Sequence, residues 1–145
     1  MSLRRLRAGE LVALAGSACI IASLLLPAYH SPIGDLDAWD TFGPAVALQI
    51  AALFAALAMI ISAITERSTA LPVSTTVWCV PVSLIAVLAS VVRVVERPEH
   101  ATSAAAGAWL ALVGSCLILM GAWLSMRDER PALYQPARPE PRPRP

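Results

Sequence analysis

Four runs of apolar residues, each long enough to cross a hydrocarbon layer as a helix, constrain this chain more than any other feature. The first covers residues 11–28, eighteen positions without a charge, which at 1.5 Å per residue makes roughly 27 Å of helix. The others cover 44–65, 71–92 and 104–126. Lipid cannot satisfy backbone amides, so such runs are expected to close their hydrogen bonds internally as helices. Composition agrees, since 57% hydrophobic side chains and a mean hydropathy of +0.66 are too apolar for a water-soluble domain of 145 residues. The expected fold class is an all-α membrane protein: an antiparallel bundle of four transmembrane helices within residues 11–126. A basic N-terminus at 1–10 precedes it. A Pro/Arg-rich tail at 127–145 follows, where proline removes amide donors and favours a disordered, solvated chain.

Arg4, Arg5 and Arg7 before the first run also resemble the basic region of a secretory signal. The apolar run is longer than a usual signal core and its exit, LPAYH, offers no small-x-small cleavage site. It is therefore expected to stay as the first span. Pro44 and Pro72 suit first helical turns, whereas Pro81 inside the third run should kink it. Trp109 and Trp123 bracket the fourth run as interfacial anchors.

Arginine distribution sets the expected orientation. The N-terminus carries three, the turn at 66–70 one and the tail five, against none in the 29–43 loop and two in the 93–103 connection. Nine against two puts both termini in the cytoplasm of a bacterial plasma membrane.

Helices associate in lipid through close packing of small residues and occasional hydrogen bonds, so small-residue lines indicate contacts. Gly107, Gly114 and Gly121 recur every seven residues, with Ala111 and Ser125 on the same face. In the third run Thr76, Cys79, Ser83, Ala86 and Ser90 form a more polar stripe at helical spacing. The second run offers Ala51, Ala55, Ala58 and Ser62, and the first Ala15, Cys19 and Ala22. Such lines read as helix-packing seams; the Thr76–Ser90 stripe also admits a solvated pathway. Extending it reaches Arg93 and Arg97, expected on the bundle-facing side at its outer mouth. Arg93 is expected to pair with a carboxylate of the first loop, Asp35, Asp37 or Asp40, or locally with Glu96 or Glu99.

Little chemistry beyond packing is encoded. His30 and His100 have no HxxxH or equivalent spacing, so no metal is expected. No spanning run contains a histidine, which argues against haem, and none offers a deep ionisable residue for coupled transport, Gln49 being the most polar. Ser83 and Ser90 lack a base at their depth. No catalytic residue, cofactor or nucleic-acid partner is expected, and the chain reads as a non-enzyme. The first loop, YHSPIGDLDAWDTFG, combines three aspartates with Trp39 and Phe42. It reads as a membrane-surface anchor with an acidic, wet side or as a contact surface for an extracytoplasmic partner.

The order of a basic start, LPAY at the first exit, LDAW in the loop, LPV opening the third run and GAWLSMRDE closing the fourth resembles small uncharacterised four-helix integral membrane proteins of actinobacteria. In similar sequences the first exit often reads LPWY, where this chain has Ala28. The resemblance covers most of residues 8–130 and implies topology and location without an activity. The expectation is a non-enzymatic scaffold or accessory subunit that acts on another membrane protein, or on itself, through helix and loop contacts. The alternative is an oligomeric small channel or transporter using the Thr76–Ser90 stripe.

Overall fold

The computed structural model describes residues 8–41, 43–65, 70–96 and 101–128. Its elements run α1 (Ala8–Leu25), β1 (Pro27–His30), β2 (Leu36–Asp37), α2 (Ala38–Thr41), α3 (Pro44–Thr65), α4 (Ala70–Val95), β3 (Ser103–Ala104) and α5 (Ala106–Asp128). Four of these, α1, α3, α4 and α5, are long and apolar enough to cross a membrane. The tail expectation for 129–145, most of the basic N-terminus, Phe42, Arg97 and His100 lie outside the described residues.

Local chemistry accounts for two of the helix ends. Helix α1 stops at Leu25, three residues before the expected end, because Pro27 has no amide hydrogen and disfavours helical geometry in the residue before it. Helix α3 starts at Pro44, directly after Gly43, whose φ of +48° suits a residue without a Cβ. Helix α4 continues through Pro81 to Val95.

Helix α5 packs most extensively on α1 and also on α4, while α3 lies against α4 and, less extensively, α1. One apolar cluster joins Ala13 and Ile20 of α1, Ala56, Met59 and Ile60 of α3, Cys79 of α4, and Ile118 and Ala122 of α5. In the α1–α5 contact, a Cβ built on Gly16 would stand 2.7 Å from the Gly114 carbonyl oxygen, and one on Gly121 2.5 Å from that of Gly9. Only hydrogen fits at these positions. Gly107 lies as close to the carbonyls of Leu26 and Pro27.

Two expected seams face inward only in part, Ala55 packing on the core and Ser62 Oγ lying 3.0 Å from Thr75 Oγ1 of α4. On α1, Ala15 is exposed and Cys19 half-buried; the buried line is Gly9, Ala13, Gly16, Ser17, Ile20 and Ser23. Glycine at 9 and 16 admits backbone approach that alanine does not, and this decides which face meets α5. On α3, Ala51 and Ala58 are exposed, and the inner face is Val46, Gln49, Ala52, Ala56, Met59 and Ile60. Burying the Gln49 amide turns that face inward.

The all-α expectation also misses a small sheet. Strand β1 lies between β2 and β3, antiparallel to both, with Pro27 opposite Asp37, Tyr29 opposite Leu36 and Ala104, and His30 opposite Ser103. The Ala105 amide donates to the Ala28 carbonyl and the Thr102 amide to that of His30, both at 2.9 Å. These bonds pair carbonyls of β1 with amides of the segment that leads into α5.

Candidate functional site

At the strand-bearing end, a second core of Ala28, Tyr29, Ala38, Ala45, Val46 and Ala108 ties the exit of α1, the helical turn α2, the head of α3 and the start of α5 together. Tyr29 is wholly buried. Its hydroxyl donates to the backbone carbonyl of Arg93 across 2.5 Å, so the sheet is bonded to the far end of α4. Phenolic burial without such a partner would be costly.

Arg93 is half-buried, and one guanidinium nitrogen would lie 3.9 Å from a Cβ placed on Gly43, so the side chain reaches toward the head of α3. Asp35 is directed elsewhere: its carboxylate meets His30 Nδ1 at 2.7 Å, with both side chains more than half exposed. Asp37 and Asp40 are exposed, and Trp39, on α2, is 59% exposed. The loop therefore presents an aromatic ring and carboxylates outward from a base locked to three helices. The tip of its turn carries Ile33, 93% exposed.

Just inside this end, Gln49 of α3 is fully buried and donates from Nε2 to Ser90 Oγ of α4 at 3.3 Å. Ser90 Oγ in turn donates to the Ala86 carbonyl at 2.8 Å. The Gln49 Oε1 atom is buried and has no protein hydrogen-bond partner. Along the same face Thr76, Cys79, Ser83, Ala86 and Ser90 are all 1% exposed or less. Ser83 Oγ donates to the Cys79 and Val80 carbonyls. On the facing helices Ser17 and Ser115 bond the carbonyls four residues back, at 2.9 and 2.8 Å. The hydroxyls of Ser17, Ser83, Ser90 and Ser115 are thus satisfied within their own helices and remain compatible with tight packing. Gly114 and Gly121 are buried opposite α1, and Gly107 is buried opposite Leu26 and Pro27 just beyond its end.

Chemically, this arrangement holds helices together. The serine protons point to carbonyls instead of to a base, and among the described residues no group of three or more His, Cys, Asp or Glu converges as metal ligands. The sequence marks Gln49 as the most polar residue of the spans but assigns it no partner, whereas Tyr29, a polar aromatic at a helix exit, and the His30–Asp35 pair are not singled out by it. Trp78, 71% exposed, joins Trp123 toward one end of the helices, while Trp39 and Trp109 stand at the other. No protein-family model, no curated protein and no solved structure matches the chain.

Proposed function

We propose that this chain is a four-pass protein of a bacterial plasma membrane, an antiparallel bundle with both termini cytoplasmic, that serves as a non-enzymatic scaffold or accessory subunit. It is akin to the small four-helix membrane proteins of actinobacteria that its sequence resembles. The observation that carries this reading is the closed interior. A water-filled pathway would leave accessible area on the hydroxyls lining it, yet the Thr76–Ser90 stripe is almost wholly inaccessible and its serines are satisfied by their own helix. The stripe acts as interhelical glue.

The aromatic arrangement supports the bilayer. Exposed Trp39 and Trp109 at the strand-bearing end and Trp123 toward the other match the two interfacial belts of a spanning protein, and Trp109 and Trp123 are fourteen residues, about 21 Å, apart on one helix. The arginine asymmetry supports cytoplasmic termini and leaves the strand-bearing end outside. There the exposed Trp39, Ile33, Asp37 and Asp40 form the surface offered to a partner.

The test is crosslinking in native membranes, gentle solubilisation and mass spectrometry, with an affinity tag beyond Met126. A foreign membrane protein in stoichiometric yield supports the accessory role. Recovery of the chain only with itself overturns that role in favour of a homo-oligomer and calls for flux assays on the alternative channel.

A further inference from the structure

The outward faces of α4 and α5 meet in an apolar groove of about 420 Å³, lined by Val80 and Leu84 of α4 and by Cys116, Leu119, Met120 and Trp123 of α5. That volume is on the scale of small-molecule sites. Leu84, Cys116, Met120 and Trp123 are exposed, so the groove opens away from the bundle.

Two observations identify its occupant. First, the lining is bulky, Cys116 being its one small side chain. Helices that press together in lipid do so over small residues, as α1 and α5 do over Gly16, Gly114 and Gly121. The groove has the opposite character and suits a flexible hydrocarbon chain. Second, Cys116, Met120, Trp123 and Arg127 follow one another on α5 at intervals of four, three and four, so the exposed Arg127 shares the groove's face one turn beyond Trp123. A cation at the mouth of an apolar slot complements an anionic head above an acyl tail. Asp128 follows on the helix, about 100° away around its axis.

We propose that the α4–α5 groove binds one acyl chain of an anionic phospholipid whose phosphate is held by Arg127, with the Trp123 ring at the depth of the lipid backbone. This rests on the reading that the four helices lie in a bilayer with Arg127 at its cytoplasmic boundary. The site would be occupied by a specific lipid instead of by whichever tail drifts past.

The experiment uses the full chain with Trp39, Trp78 and Trp109 changed to Phe, so that Trp123 alone fluoresces. It is reconstituted in phosphatidylcholine vesicles containing an equal small fraction of either brominated phosphatidylcholine or brominated phosphatidylglycerol. The expected result is stronger quenching by the phosphatidylglycerol. Arg127→Gln should lower that preference about fivefold, the factor expected for one basic side chain at an anionic surface, and Cys116→Phe should remove it by filling the groove. Equal quenching by both lipids overturns the inference while leaving the bilayer reading intact; quenching by neither overturns the bilayer reading itself. Native mass spectrometry of the unaltered chain from mixed vesicles provides a check that does not depend on the triple variant. One retained phosphatidylglycerol, lost in Arg127→Gln, supports the site, and no preference over phosphatidylcholine refutes it.

Discussion

Placing a methyl group on Gly121 tests the packing account where it is tightest. The added Cβ would lie 2.5 Å from the Gly9 carbonyl oxygen and 2.6 Å from the Ala13 amide nitrogen, up to 0.9 Å short of the 3.4 Å at which ordinary contact begins. Both obstacles are backbone, so no rotamer change relieves them and α1 must move away from α5. Overpacking of this kind costs about 1–3 kcal/mol. Alanine recovers about 0.5–1 kcal/mol over glycine through helix propensity, which leaves Gly121→Ala destabilised by about 1 kcal/mol at the midpoint of these ranges. Gly16→Ala and Gly114→Ala oppose one another, with clashes at 2.7 and 2.9 Å against each other's carbonyls. A single separation of the helices relieves both, so the double variant should cost at least about 0.5 kcal/mol less than the sum of the singles. Reversible unfolding in mixed micelles, titrated with a denaturing detergent, measures all four proteins. The reasoning is refuted if Gly121→Ala is neutral or stabilising, the behaviour of an alanine introduced on an exposed helix face.

Other consequences are as direct. Tyr29→Phe removes the bond to the Arg93 carbonyl and should cost about 1 kcal/mol, with faster proteolysis of the 31–43 loop, whereas an unchanged cleavage rate would show the latch to be dispensable. Ser90→Ala strips the acceptor from Gln49 Nε2 and should destabilise by about 1 kcal/mol. Gln49→Leu also removes the unpartnered Oε1 and should be neutral or stabilising in the same unfolding titration; a loss of more than about 2 kcal/mol would contradict it. Cys79, fully buried, should resist maleimides in the folded protein in detergent while the exposed Cys116 reacts, and equal rates would mean that the interior is open.

The legibility of this fold in its sequence varies by helix for a physical reason. Glycine and hydroxyl residues are sparse enough in α5 and α4 for Gly107, Gly114 and Gly121, and Thr76, Ser83 and Ser90, to define one face each, and those faces are buried. Alanine is so frequent in α1 and α3 that several lines fit helical spacing equally well. Gly9 and Gly16, seven apart like the glycines they meet, carried the usable signal in α1, as Gln49 did in α3. Strands of two to four residues produce no alternation to read, and their pairing joins segments more than seventy residues apart, as in His30 with Ser103. The His30–Asp35 contact depends on the turn that Gly34 closes, with its φ of +144° and its amide bonded to the Ser31 carbonyl, a geometry that composition alone does not specify.

The measurement that most directly tests the closed, four-pass bundle is thiol accessibility in intact cells. Single cysteines at Gly34, Ser83, Ser90 and a tail position, in a chain without its native Cys19, Cys79 and Cys116, are exposed to a membrane-impermeant maleimide. The account predicts labelling of position 34 in intact cells, of the tail only after permeabilisation, and of neither 83 nor 90 under either condition. Labelling at Ser83→Cys or Ser90→Cys would reveal a water-filled path along the stripe and contradict the scaffold reading.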